Sequence, residues 1–204
     1  PRCTAGQRIP GEVALAVAAS ETRIRLAANR NPHRAWQDLP DGTQSRVIVC
    51  HDPDVPSVGD NVNQEGKVVE ASLPRVDFYH WLLLDIPSSV SEIAAGSQSG
   101  AITPRGKPGP TAPHGLRHGV NDYTAWFAGD KEMSGQYFGY DGPCPPWNDE
   151  LMHHYVFTVY ALANSTLNVV GELNGANVLA AIGAAAVLGS AQITGLYSLN
   201  PAVG

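Results

Sequence analysis

"RVIVCHDPDVP", residues 46–56, decides how the rest of the chain is read. Val47-Ile48-Val49-Cys50 is a continuous, mostly β-branched run, the pattern of a strand buried on both faces. Proline lacks the ladder donor, so the pattern predicts that the strand stops at Pro53 and leaves Asp52 at its exit. A carboxylate there either caps its own backbone in a turn or stands at the rim of a pocket.

Outward from that stretch, Arg23–Ala27, Phe78–Ile86, Tyr155–Leu162 and Ile193–Ser198 are further strand candidates, rich in β-branched or aromatic residues and bounded by turn formers. Long separations lie between them. The stretch from Ser97 to Pro146 is studded with glycine and proline, yet Tyr123, Trp126, Phe127, Tyr137, Phe138 and Tyr140 predict an ordered loop wrapping something. Leu173, Ala176, Leu179, Ile182 and Ala186 recur at three-or-four spacing, which predicts one helix over Glu172–Ala191 laid on a sheet. With 21 glycines and 16 prolines in 204 residues, this makes a mainly β fold of antiparallel sheets, with a C-terminal helix and long ordered loops. One domain over residues 1–204 is the expectation.

The formal charge of -6 comes without any Lys/Arg run, so no partner among nucleic acids is expected. Cys3, Cys50 and Cys144 are odd in number and at no metal-like spacing, and imply neither a disulfide framework nor a metal site. "VALAVAAS", residues 13–20, imitates a signal peptide, but Pro10 and Glu12 crowd its seven apolar residues, so it reads as a strand or core segment. No apolar run reaches membrane-spanning length, and a soluble, cytoplasmic protein without stable membrane insertion is expected. "GAITPRGKP" has the wrong glycine spacing for a phosphate-binding loop, and "HGLRH" lacks the glutamate and the helix of a zinc protease. No nucleophile elbow and no cofactor motif is present.

Polar strand starts carry more. His80 stands near the start of "FYHWLLLDIP" and His153 opens "HHYVFTVYAL", both strands that otherwise read as buried. Alternation puts His153 and Tyr155 on one face and His154 on the other. Gly142, in "GYDGPCPP", sits in a rigid turn able to approach a ligand and present a free N–H. Imidazoles, a phenol and backbone N–H groups are donors, and converging donors make an anion site in which Asp52 orients a histidine.

"DPDVP", "FYHWLLLDIP", "GYDGPCPP", "HHYVFTVYAL" and "ITGLYSLNP" together, with "NPHRAWQDLPDGTQS" before them, resemble in order the motifs of the phosphatidylethanolamine-binding protein family, in its bacterial YbhB/YbcL, Raf kinase inhibitor-like branch. The resemblance runs from about Ile9 to Pro201. It implies a β-sandwich-like fold and a small pocket for a phosphoryl or carboxyl group, such as a phospholipid head group. It assigns ligand binding to Asp52, His80, His153 and Tyr155, with Gly142 and Pro143 lining the pocket and Val55 and Pro56 in its wall. It implies a binding or regulatory protein without cofactor or metal, with a small phosphorylated or carboxylated ligand and a homodimer as expected partners. The alternative is a small-molecule isomerase, cyclase or lyase using His80, His153 and Asp52 for acid–base chemistry. The chain departs from the family pattern at His154, where many relatives have arginine, and at Asp141, where they often have glycine. It also has Ala186 near the place of a helix histidine. The first two departures are expected to alter the charge beside the anion site.

Overall fold

The computed structural model describes residues 5–203. Its strands and helices, in chain order, are β1 (Ala16–Ala19), β2 (Arg23–Leu26), β3 (Arg34–Ala35), β4 (Ser45–Pro56), β5 (Arg75–Pro87), β6 (Glu92–Ile93), β7 (Arg117–His118), α1 (Tyr123–Trp126), β8 (His153–Leu162), α2 (Gly175–Ala184) and β9 (Val187–Tyr197). A five-stranded sheet in the order β7-β5-β4-β8-β9 is antiparallel throughout, and the pairs β1-β2 and β3-β6 form two small antiparallel sheets.

The run Val47–Cys50 forms the centre of β4 because it is paired on both sides and covered on both faces. Val47 and Val49 pack with Leu82, Leu84, Val178 and Ile182 under α2, while Ile48 and Cys50 pack with Trp81, Tyr155 and Phe157 on the opposite face. Each strand face thus has its own core, which is why both parities of the sequence are apolar. The N-terminal segment, expected to be a strand or core segment, is both: Val13, Ala14 and Ala16 belong to the second of these cores, and Ala16–Ala19 is β1.

Two expectations are corrected. β4 does not stop at Pro53 but runs to Pro56. Its pairing with β8 ends at His51, while its pairing with β5 passes from Asp52↔Phe78 to Val55↔Val76, with one extra residue on β4. That bulge accommodates Pro53, since an unpaired residue needs no donor. The C-terminal helix is also shorter than Glu172–Ala191. It is capped by the Asn174 side chain, which accepts from the Asn177 N–H at 3.0 Å, and it ends at Ala184. Val187 onward joins β8 as an edge strand, from Leu162↔Val187 to His153↔Tyr197. A ten-residue helix already buries Val178 and Ile182, and the free edge of β8 offers the next residues a ladder that a longer helix would forgo. Cys50 is buried in the core, Cys144 is partly buried, and Cys3 lies outside the described residues.

Candidate functional site

The bulge in β4 turns Asp52 inward at the end of the sheet, where it is 1% exposed. Its Oδ1 accepts the Asp54 N–H at 2.8 Å, the Asx-type contact that holds a carboxylate still. Its Oδ2 lies 2.7 Å from Nδ1 of His153, the first residue of the neighbouring strand β8. The other ring nitrogen, Nε2, faces Asp149 Oδ2 at 3.2 Å, and Arg75 grips Asp149 with two N–H groups at 2.6 and 3.1 Å. Carboxylate, imidazole, carboxylate and guanidinium therefore form one buried row. Burial opposes charging His153, but hydrogen bonds to Asp149 and Asp52 and their charges outweigh it and raise its pKa to about 9.

Above Asp52 opens a cavity of about 230 Å³, below the roughly 300–1,000 Å³ usual for drug-sized ligands. Asp52, His80 and Tyr155 line its polar end, and Val55, Pro56, Phe78 and Cys144 are among its apolar walls. Tyr123, Trp126 and Phe127, from α1 and the residue after it, close one side, so the long loop does wrap something. His80 and Tyr155 meet edge-on with ring centroids 5.1 Å apart. His80 Nδ1 lies 2.8 Å from the Asp141 carbonyl, which can only accept, so Nδ1 carries the proton and Nε2 keeps its lone pair. Burial lowers the His80 pKa, against the pull of Asp52 and Asp141, and keeps the ring neutral. The Tyr155 phenol is held protonated by burial, then by the nearby Asp52 charge.

The sequence-derived residues divide into three groups. Asp52, His80, Tyr155, Val55 and Pro56 converge on the cavity. His153 lies behind Asp52 with both nitrogens engaged by carboxylates, so it supports the floor and has no N–H left for a ligand. Gly142 and Pro143 stand behind the wall, which is built from Cys144, Pro145 and Pro146. The Gly142 N–H, expected to be free, donates to Asn29 Oδ1 at 2.8 Å, and a Cβ on Gly142 would come 2.0 Å from the Val13 carbonyl oxygen. Its glycine is demanded by close packing against the N-terminal segment.

Asp149 and Arg75 were missed by sequence reasoning, although Asp149 stands four residues before His153 in "NDELMHH". Both departures beside the site point away from it. His154 is half-exposed and pairs with Asp54 at 2.8 Å, and the Asp141 carboxylate takes Asn29 and Asn121 amides and the Lys107 ammonium, each at 2.7 Å. Trp147 lies under the Arg23 guanidinium at 5.1 Å, outside the cavity.

A model of the family described as "Phosphatidylethanolamine-binding protein" matches residues 1–198. The chain belongs to the phosphatidylethanolamine-binding protein family. Among curated relatives it is similar to the UPF0098 protein YbhB of Escherichia coli K12, 28% identical over 83% of this chain and 82% of that one. A UPF0098 protein of Aquifex aeolicus is 29% identical over 82% and 73%, and YbcL of Escherichia coli K12 is 27% identical over 84% and 73%. Among solved structures, the crystal structure of E. coli YbcL, described as a new member of the mammalian PEBP family, superposes with a TM-score of 0.66 at 23% identity. It covers 97% of this chain and 94% of that one. A putative PEBP homolog, CT736 of Chlamydia trachomatis, gives 0.60 at 22%, covering 96% and 92%. These two likenesses establish the shared fold. No helix among the described residues is long and apolar enough to cross a membrane.

Proposed function

We propose that the chain is a binding protein whose cavity takes the phosphoryl or carboxyl head of a small, partly apolar ligand. The observation that carries this reading is the fixed Asp52 carboxylate at the end of an apolar cavity, beside the one free nitrogen of His80 and the Tyr155 hydroxyl. Small size and apolar walls suit a compact head on an apolar stem. Leu26 and Trp126 line the cavity and are 64% and 51% exposed, so the stem would leave past them.

The charges around Asp52 dictate how an acid binds. Asp52, His153, Asp149 and Arg75 alternate in sign and cancel, and His80 is neutral, so the cavity offers no surplus positive charge. A fully ionised head would face the Asp52 carboxylate unpaid for by any cation. The head therefore binds with a proton, shared with Asp52 or transferred to His80 Nε2. The second ionisation of a phosphate monoester lies near pH ~6, so above it each complex takes up one proton and affinity falls about tenfold per pH unit.

Calorimetric titration with phosphoethanolamine and phenyl phosphate, in buffers of different ionisation enthalpy at pH 6 and 8, tests this. Saturable binding with proton uptake, lost in His80→Gln and Tyr155→Phe, is the expected result. No binding of either probe in the millimolar range overturns it. Release of inorganic phosphate from a bound probe, with a histidine-like pH profile, would instead favour acid–base catalysis by His80.

A further inference from the structure

The polar end of the Asp52 cavity is short of donors. Three side-chain groups stand there: the Asp52 carboxylate, His80 Nε2 and the Tyr155 hydroxyl. A carboxylate only accepts, and His80 Nε2 presents a lone pair because Nδ1 holds the ring's proton against the Asp141 carbonyl. Tyr155 has one proton to give, and Asp52 already draws on it. Other side-chain donors nearby are committed elsewhere. His153 turns both nitrogens to carboxylates, and the Tyr123 hydroxyl donates to the Gly142 carbonyl at 2.8 Å. Burial pushes the Cys144 thiol up to about 12, so it stays protonated, but S–H is a weak donor. Asn63 and Trp126 also line the cavity, yet both are exposed and belong to its mouth.

The lone pair on His80 is fixed from behind. Residue 141 holds the histidine twice, its N–H donating to the His80 carbonyl at 3.0 Å and its own carbonyl accepting from Nδ1 at 2.8 Å. The Asp141 carboxylate is in turn held by Asn29, Asn121 and Lys107, each at 2.7 Å. Asn121 also donates to the Gly139 carbonyl at 3.0 Å, and Lys107 to that of Tyr140. Three side chains thus clamp the turn 139–142, and a flip of the His80 ring would leave the buried Asp141 carbonyl unmet. Every ligand therefore meets the same face of the histidine, an acceptor.

An end built of acceptors suits a head that brings its own proton. The singly ionised form of a phosphate monoester still carries one O–H, and so does a carboxylic acid. A phosphodiester, a sulfate ester and a sulfonate are ionised with no O–H left, so their oxygens would face the Asp52 oxygens and the His80 lone pair, acceptor against acceptor. We propose that the cavity selects its ligand by acid strength: it takes phosphate monoesters and carboxylic acids, and rejects strong-acid heads of the same shape, including the phosphodiester of an intact phospholipid. This rests on the reading that an acidic head enters the cavity, and narrows it to heads with a proton to donate.

The test is an NMR titration of the full chain, followed at the His80 imidazole so that each probe is located at the cavity. At pH 6, phenyl phosphate is compared with phenyl sulfate, which has nearly the same shape and lacks the proton, and with methyl phenyl phosphate. Phenyl phosphate should bind at least about tenfold more tightly than either, because a site built to receive a donor rejects an analogue without one. Benzoate should bind about tenfold more tightly at pH 5 than at pH 6, since carboxylic acids titrate near ~4 and the bound form is the acid. Benzenesulfonate, ionised throughout, should show no such gain. Phenyl sulfate bound as tightly as phenyl phosphate, or benzoate bound with an affinity flat between pH 5 and 6, would overturn the selectivity and leave an acidic ligand in the cavity. No saturable shift with any probe in the millimolar range would remove both the selectivity and the reading beneath it.

Discussion

Two charged clusters occupy the same face of the central sheet, one at each end of β4, and they are built on opposite rules. At the Asp52 end every ionised group has a partner of the other sign, from Arg75 through Asp149 and His153 to Asp52. At the Arg46 end two guanidiniums lie over aromatic rings, with no acid among the described residues to meet them. The first arrangement is complete without a ligand and rigid. The second leaves its charges without a counterion among the described residues. A buried pair stabilises mainly in the sense that breaking it is costly, whereas a buried unpaired cation is a cost already present in the folded state.

That contrast can be broken most directly by Asp149→Ala, which strands both Arg75 and His153. It should lower stability by about 3–5 kcal/mol in urea unfolding, and a loss below about 1 kcal/mol would mean that the row is not coupled. Next in size is the pH dependence of the same row. His153 has a folded pKa raised to about 9 from an ordinary 6.5, so its contribution is full below about pH 6.5 and is lost as pH rises through 9. Roughly 2–3 kcal/mol should disappear between pH 6.5 and 10, and that slope should be absent in His153→Gln. At the opposite end, Arg34→Met should leave stability within about 1 kcal/mol of wild type, because the lost stacking is offset by removal of an unpaired charge. A loss as large as that of Asp149→Ala would place Arg34 in a satisfied network and remove the contrast. Smallest of all, Arg23→Ala breaks a bidentate pair with Glu65 that stands in solvent, and the unfolding midpoint should not move measurably.

Much of the fold was legible from the chain alone. β-branched runs at 46–50, 78–86 and 155–162 lie inside β4, β5 and β8, and the alternation His153–His154–Tyr155 gave the right faces, buried, exposed, buried. Five ordered motifs pointed to the family whose model matches residues 1–198. These features are local: periodicity, turn chemistry and motif order are written within a few residues of one another. The pairing of charges and the competition for chain depend instead on segments that meet only once the molecule is folded. Whether Val187 continues a helix or pairs as a strand depends on the free edge of β8, and whether His153 faces a ligand or two carboxylates depends on Asp149 and Asp52 arriving from different segments. The buried N–H groups that Arg34 and Arg46 leave unpartnered are legible in no sequence pattern, because an unmet hydrogen bond is defined by what the rest of the fold fails to bring.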